Sequence, residues 1–311
     1  PQVPQSEDAN IKSAWGFSCG YKNVGFSFGA PENCGATIVL EGESEIESAK
    51  LYHAGAEVGQ GAHTVFKQMA ADALGLPLEK VQTIYSDTST SLDSGSVSAS
   101  RMTFMAGNSI IGAAKQALEK WAQENRPAIG SFVYRPPKTN SMDPVDGHCN
   151  PNFAYGYVAQ AFLVDVNTRT GEVHLKKVIT VDDVGKAVNP QLVVGQIEGC
   201  VVQAVGYTLM ENWKKKDAKA LTDRMSTYLI PTVMDIPDVN QSVILEEADV
   251  IGPFGAKGMG EMPYLPFAPG VVEAVYQATG VRFHHFPLTS ENVLRGLGKL
   301  PSQAVDFWEF E

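Results

Sequence analysis

The stretch Ala161-Phe162-Leu163-Val164-Asp165-Val166 does most to decide the fold of this chain. It is apolar at five of its six positions and has the length of a β-strand. The sequence Asn167-Thr168-Arg169-Thr170-Gly171 follows it and is typical of a turn. A second strand-like stretch, residues 173–181, comes directly afterwards. The pattern therefore predicts a β-hairpin that opens the second half of the protein.

Helical patterns flank this hairpin without a strict strand–helix alternation. Asn189-Pro190 predicts a helix start, because proline is tolerated in the first turn, and the helix is expected over residues 191–210. The last helix is expected over residues 269–278, ended by Gly280. In the first half, the patterns predict strands over residues 36–40, 49–53 and 81–85, helices over 63–74 and 105–121, and a loop over 124–151.

These elements predict an α+β fold made of two mixed αβ subdomains. The first subdomain is assigned to residues 25–145 and the second to residues 146–311. Residues 1–24 begin with polar and proline-containing sequence and are assigned to a linker or partner-contacting arm. Because the sequence starts with Pro1, we expect a processed end or a segment of a longer product.

Composition limits the classes of function. The chain has 311 residues and a formal net charge of -11, which argues against binding to a nucleic-acid backbone. Its four cysteines are far apart and form no Cys-x-x-Cys pair, and the histidines lack the spacing of a metal-binding set. There is no signal peptide and no apolar run near the length of a membrane span. We expect a cytoplasmic protein that binds neither nucleic acid nor membrane.

Two turns rich in small residues are candidates for ligand binding. In the first, Gly59-Gln60-Gly61 precedes a helix whose free amides favour an anion, and the Gln60 amide can donate and accept hydrogen bonds. In the second, Ser98, Ser100 and Arg101 could hold a phosphate, with Arg101 as a bidentate clamp. A structural turn and a flexible loop are the respective alternatives. Gln196, in the middle of an apolar helix, is either a ligand contact or a satisfied packing residue.

The stretch Lys257-Gly258-Met259-Gly260-Glu261 carries the sharpest signal. A carboxylate directly after a Gly-x-Gly turn can be placed in a cleft and serve as a general base. The alternative is a solvated acid on a glycine-rich loop.

In this order, these stretches resemble the second half of the molybdenum-binding region of the xanthine oxidase/aldehyde oxidoreductase family of molybdenum hydroxylases. The resemblance extends over nearly the whole chain from about residue 20. The matching stretches are residues 25–28, 57–63, 98–107, 182–185 with Asn189-Pro190, 195–199 and 257–263.

The resemblance implies a role for each matching residue. Glu261 corresponds to the family's catalytic glutamate, which accepts a proton while oxygen from water is transferred to the substrate. Gln60, between Gly59 and Gly61, corresponds to a glutamine that faces the metal's oxo group and the pterin, and Gln196 to a partner of the pterin amide. Phe28 corresponds to a phenylalanine that packs against aromatic substrates. The remaining implied cofactor contacts are Ser98, Ser100 and Arg101 at the pterin phosphate, and the backbone of Lys257, Gly258, Met259 and Gly260.

The resemblance also implies cofactors and partners. The cofactor is a molybdenum-molybdopterin, expected in its cytosine dinucleotide form, with no metal ligand from protein side chains. The family's first molybdopterin-binding half is absent here, as are its iron–sulfur and FAD domains, and all three are expected on partner chains. This arrangement resembles the split molybdenum subunit of nicotinate dehydrogenase-type enzymes.

Four functional readings stay open at this point. Phe28 favours hydroxylation of an aromatic N-heterocycle of the purine or pyridine carboxylate type. Oxidation of an aldehyde, or a reductive reaction of the hydroxybenzoyl-CoA reductase type, would use the same cofactor frame. A non-catalytic cofactor-binding or assembly module is the alternative from another class.

Overall fold

A computed structural model describes residue 3 and residues 6–301 of the chain. The strands are β1 (Ile11–Asn23), β2 (Cys34–Glu41), β3 (Ser48–His53), β4 (Val81–Tyr85), β5 (Ala128–Tyr134), β6 (Tyr155–Asn167), β7 (Val173–Asp183), β8 (Lys215–Lys216), β9 (Lys219–Ala220) and β10 (Val239–Leu245). The α-helices are α1 (Ala62–Leu74), α2 (Met102–Ala122), α3 (Pro190–Val205), α4 (Phe267–Thr279) and α5 (Ser290–Gly296). The α+β prediction is confirmed.

The first sheet has the strand order β4-β3-β2-β5. Helix α1 connects the parallel strands β3 and β4, while β2 pairs antiparallel with β3 and β5. Helices α1 and α2 bury their apolar sides in one core with this sheet. All three strands and both helices predicted in this half are present within two or three residues of their predicted bounds.

Strand β5 lies inside the segment predicted as a loop, so that prediction is wrong for residues 128–134. The strand is held by pairing with β2, from Cys34 opposite Tyr134 to Leu40 opposite Ala128. Gly130 lets it approach α2, because a Cβ at this position would lie 2.1 Å from the carbonyl oxygen of Ala113. A short stretch that follows a proline and contains a glycine lacks the usual sequence signal of a strand.

The second sheet has the strand order β1-β6-β7-β10. The predicted hairpin is its centre, since β6 and β7 pair antiparallel around the Asn167–Gly171 turn. Strand β1 pairs with β6 along its whole length, from Ile11 opposite Asn167 to Asn23 opposite Tyr155. The assignment of an arm is therefore wrong for residues 11–23, which form a strand of the second sheet. Residues 1, 2, 4 and 5 of that arm lie outside the described residues, as do residues 302–311 of the second subdomain.

Helix α3 begins as predicted at Asn189-Pro190. The side chain of Asn189 accepts a hydrogen bond from the backbone N–H of Leu192 and caps the helix. After Val205 the helix continues as a π turn, Gly206–Met210. By length and composition alone, Pro190–Met210 could cross a membrane, but five α3 side chains facing inward are buried.

Helix α4 ends at Gly280, as predicted, with this residue in the left-handed conformation. It is not the last helix, because α5 follows it, started by a side-chain cap from Thr289. The first sheet lies wholly before the predicted boundary at residue 145, whereas the second sheet takes β1 from before it and β6, β7 and β10 from after it. The division into subdomains at that residue stays a prediction.

Candidate functional site

The turn between β3 and α1 holds Gln60 on the protein surface. The Gln60 side chain folds back on its own turn, donating to the carbonyl oxygen of Ala56 at 2.9 Å and accepting from the N–H of Val58 at 2.6 Å. Gly59 has a φ of 105° and no atom within 4 Å of where a Cβ would stand. The backbone of this turn is thus open to a ligand on its outer side.

The amides at the start of α1 are occupied by a side chain of the chain itself. The Glu57 carboxylate accepts hydrogen bonds from the N–H groups of Gly59, Gly61 and His63 at 2.8–3.0 Å. Burial opposes ionisation of this carboxyl, but the three N–H donors outweigh it and lower the pKa of Glu57. The prediction that these amides bind an external anion is therefore wrong, and Glu57 is a residue that the sequence reading missed.

One cleft brings together four predicted cofactor residues from three segments of the chain. Gln60, Gln196 of α3, Lys257 and Met259 line one cleft. The α1 turn packs on α3 here, since a Cβ at Gly61 would lie 2.7 Å from a methyl group of Leu192. The cleft therefore lies where the two halves of the chain meet.

The Lys257 side chain is not available to this cleft. Its Nζ lies 2.5 Å from Oδ2 of Asp183, and both side chains are about nine-tenths buried. The backbone of Lys257 is held as well, because its N–H donates to the carbonyl oxygen of Val184 at 2.8 Å. Lys257 thus anchors the start of the loop that carries Glu261.

The Ser98–Arg101 turn is shaped by two residues in the left-handed conformation, Ala99 (φ 50°) and Ser100 (φ 52°). The Ser98 hydroxyl lies 2.9 Å from that of Ser96, and the carbonyl oxygen of Ala99 accepts from the N–H of Gly25. Non-glycine residues in this conformation are uncommon and are concentrated at functional sites.

Arg101 is a buried structural residue. Its side chain is 1% exposed, and its Nε lies 2.7 Å from Oε2 of Glu32. The remaining nitrogens donate to the carbonyl oxygens of Asn33, Ser94 and Ser96 at 2.6–2.9 Å. The guanidinium cannot reach a phosphate outside, so the predicted bidentate clamp is wrong: Arg101 holds the serine turn from beneath.

The loop 257–261 interlocks with the serine turn. A Cβ at Gly258 would lie 1.8 Å from the carbonyl oxygen of Ser100, so only glycine fits there. The backbone N–H of Glu261 donates to the Ser100 hydroxyl at 3.2 Å. The structure thus brings Ser100, Gly258, Gly260 and Glu261 together, as the predicted site requires.

The Glu261 carboxylate faces outward. Its side chain is 63% exposed, and its Oε2 lies 3.6 Å from Nζ of Lys22 on β1. Behind it, the Cys200 thiol donates to the carbonyl oxygen of Gly260 at 3.2 Å, and burial raises the pKa of this thiol to about 11. An acid on a braced loop, open on one side, can accept a proton from a group placed next to it.

Phe28 is a half-exposed residue on the loop between β1 and β2. It is 49% exposed, has a φ of 58°, and bonds through its backbone to Pro151 and Ser141. It does not line the cleft that contains Gln60 and Gln196. A substrate contact for Phe28 stays a prediction.

The residues at the cleft fit a pterin cofactor. Such a group offers amide and amine edges, and Gln60 and Gln196 present side-chain amides that both donate and accept. On α3, Gly195 and Gly199 flank Gln196 and have no atom within 4 Å of where a Cβ would stand. This leaves an open helix face beside the cleft. Among residues 3 and 6–301, no group of His, Cys, Asp and Glu side chains could hold a metal ion alone.

Comparison with known proteins agrees with this geometry. The model of the molybdopterin cofactor-binding domain matches residues 2–131 and 120–237. The probable hypoxanthine oxidase XdhD of Escherichia coli (strain K12) is 28% identical, with 88% of this chain matching 31% of that protein. The aldehyde oxidoreductase of Megalodesulfovibrio gigas is 27% identical, with 95% of this chain matching 34% of that protein.

A solved structure is similar over most of the chain. The aldehyde oxidoreductase from Desulfovibrio desulfuricans ATCC 27774 superposes with a TM-score of 0.82 at 29% identity, covering 93% of this chain and 33% of that one. The chain therefore spans between 31% and 34% of the length of these relatives.

Proposed function

The chain belongs to the molybdopterin cofactor-binding domain family, and on this basis we propose that it supplies the second part of the cofactor site in a molybdenum hydroxylase. One observation carries the proposal. Gln60, Gln196, Lys257 and Met259 line one cleft, and Glu261 lies at the end of the loop that carries Lys257 and Met259, with its carboxylate open outward.

Each residue has a defined task in this proposal. The amides of Gln60 and Gln196 hydrogen-bond the pterin system, and the Ser98 and Ser100 hydroxyls bind its phosphate end. Arg101 acts indirectly, because it braces the serine turn through Glu32 and three carbonyl groups. The molybdenum-molybdopterin, when bound, supplies the redox chemistry. Glu261 accepts the proton that is released as oxygen from water enters the substrate.

The site is completed by partner chains. Six apolar side chains between α3 and β10 are more than half exposed: Trp213, Leu221, Met225, Leu229, Val233 and Met234. Exposed apolar groups in this number mark an interaction surface, and this chain matches only 31% and 34% of the length of two relatives. We assign this surface to the first molybdopterin-binding half. Iron–sulfur and FAD subunits, and the cytosine dinucleotide form of the cofactor, complete the proposed enzyme.

Substitution of Glu261 by Gln in the native complex tests the assignment. The amide keeps the shape and the backbone bond to Ser100 but cannot accept the proton, so turnover falls by at least about 100-fold, the usual scale of a general base. Molybdenum and pterin contents stay at wild-type levels. Glu119→Gln, at an exposed site on α2, is the matched control and retains full turnover. Near-wild-type turnover of Glu261→Gln contradicts the assigned role.

An aromatic N-heterocycle is the substrate class that we propose, on the basis of Phe28. Substitution of Phe28 by Ala raises the KM for purines or pyridine carboxylates and leaves that for small aliphatic aldehydes unchanged. Aldehydes are the second candidate, because the solved structure with a TM-score of 0.82 is an aldehyde oxidoreductase. Turnover of aldehydes but not of heterocycles by the wild-type complex decides for this second class.

A further inference from the structure

A row of polar side chains is buried beneath the loop that carries Glu261. Gln160 on β6 and Thr180 and Asp182 on β7 are each no more than 1% exposed. Gln160 stands opposite Thr180 in the pairing of the two strands, and Val158 stands opposite Asp182. Side chains two residues apart in a strand share a face, so all three point toward the same side of the second sheet.

Gln160 ties this sheet to the catalytic loop. Its Nε2 donates to the carbonyl oxygen of Pro263 at 2.8 Å and to Oγ1 of Thr180 at 3.1 Å, which uses both of its amide hydrogens. Pro263 lies two residues after Glu261. Between them, the buried side chain of Met262 packs against Val158 and over Gly156, where a Cβ would lie 2.5 Å from its sulfur. Glu261 is thus fixed from below through Met262 and Pro263.

Two buried polar groups in this row lack hydrogen-bond partners among the described residues: Oε1 of Gln160 and both carboxyl oxygens of Asp182. A buried carboxylate with no donor costs several kcal/mol, whereas a neutral carboxyl group offers an O–H and removes the charge. Diagonal neighbours on antiparallel strands are about 7–8 Å apart, which long side chains can bridge. A hydrogen bond from a protonated Asp182 to Oε1 of Gln160 therefore satisfies both groups.

The charges around Asp182 do not favour its ionised form. Cys200 on α3 lies close enough to both Asp182 and Glu261 for their charges to raise its pKa. The nearby cation of the loop, Lys257, is held by Asp183, the next residue of β7. Burial raises the pKa of Asp182 to about 7, in agreement with a neutral carboxyl group.

We propose that Asp182 is a protonated positioning residue whose O–H donates to Oε1 of Gln160 and so orients the amide that holds the Glu261 loop. Its effect on turnover rests on the function proposed above, but its structural part does not. Deprotonation of Asp182 removes the donor and places a charge beside the Gln160 oxygen. The loop around Pro263 then loses its anchor as pH rises past neutrality.

The infrared carbonyl band of a protonated carboxyl group tests the structural part on the native complex. At pH 6, the difference spectrum of wild type minus Asp182→Asn shows this band. The band disappears from the wild-type spectrum as pH rises to 9. The control Asp217→Asn, at an exposed turn, leaves the band unchanged. No difference band at pH 6 overturns the proposal, and this readout requires neither molybdenum nor turnover.

Hydrogen exchange of the peptide containing residues 259–265 tests the positioning part. In Asp182→Asn the side-chain N–H replaces the O–H, so exchange at pH 6 stays at the wild-type rate. Gln160→Met, which fills similar space, removes the bond to Pro263 and accelerates exchange about fivefold, the effect of losing one hydrogen bond. After correction for the intrinsic exchange rate, exchange of this peptide accelerates between pH 6 and 9 in wild type and does not accelerate in Asp182→Asn. Equal pH dependence of the two proteins overturns the proposal.

The turnover profile separates this proposal from the function itself. Asp182→Asn retains kcat within about twofold at pH 6, while KM stays unchanged. Its kcat no longer shows the part of the decline at alkaline pH that the ionisation of Asp182 causes in wild type. Absence of turnover in wild type refutes the proposed function alone. Wild-type turnover with an unchanged alkaline decline in Asp182→Asn refutes the role of Asp182 alone.

Discussion

Glu32→Gln tests whether Arg101 is a structural brace. The substitution keeps the shape of the side chain but removes the charge that faces a guanidinium only 1% exposed. The arginine keeps its bonds to three carbonyl groups and cannot move outward, so a positive charge is left buried without a counter-charge. Removal of one partner of a buried pair costs about 3–5 kcal/mol.

Glu32 also accepts a bond from the backbone N–H of Phe26 at 2.5 Å, and Gln retains an oxygen for it. The lower end of that range, about 3 kcal/mol, is therefore the expected loss. Urea unfolding of wild type and variant measures it, with Glu119→Gln as an exposed control. A loss below about 1 kcal/mol refutes the brace, because that is the scale of an exposed pair. Unchanged stability with lost cofactor points instead to a phosphate clamp.

Three further predictions concern stability and the loop. The pKa of Asp182 is 3.8 in the unfolded protein and about 7 in the folded protein, so its destabilising effect is absent below pH 4, grows as pH rises to 7 and then stays constant. The free energy of unfolding of Asp182→Asn, measured with urea, therefore rises relative to wild type by up to about 4 kcal/mol between pH 4 and 8. A difference between the two proteins that does not change with pH contradicts this. His53 is buried and its pKa is lowered to about 3, so stability is lost as pH falls from 6.5 toward 3: about 2 kcal/mol by pH 5, a loss absent from His53→Gln. Gly258→Ala places a Cβ against the Ser100 carbonyl group, which lowers the free energy of unfolding by at least about 2 kcal/mol and kcat about tenfold. The control Gly20→Ala, with open space around the new Cβ, changes neither quantity. Unchanged stability and kcat of Gly258→Ala contradict the interlocking of the two loops.

The sequence was informative wherever local chemistry decides structure. The hairpin around Asn167–Gly171 and the helix start at Asn189-Pro190 follow from turn and capping preferences that act over a few residues. Strand β1 was missed because it belongs to the second sheet only through pairing with β6, 132 to 156 residues later. Long-range pairing of that kind leaves little trace in a local pattern.

The site shows the same limit. The family resemblance implied that Gln60, Gln196 and residues 257–261 share one site, and the cleft contains Gln60, Gln196, Lys257 and Met259. The role of Arg101 was not predictable, because its partner Glu32 lies 69 residues earlier without a motif of its own. Glu57 was within the matching stretch 57–63, but nothing in its residue type distinguishes a helix cap from a solvated acid.

The central claim is that this chain forms part of a molybdopterin site through Gln60 and Gln196. The most direct test is the molybdenum and pterin content of the purified native complex, for wild type and for the double substitution of both glutamines by Ala. We predict equal amounts of molybdenum and pterin in wild type and loss of both from the variant, with the subunits still assembled. A wild-type complex without molybdenum, or a variant that retains the full content of both, contradicts the claim.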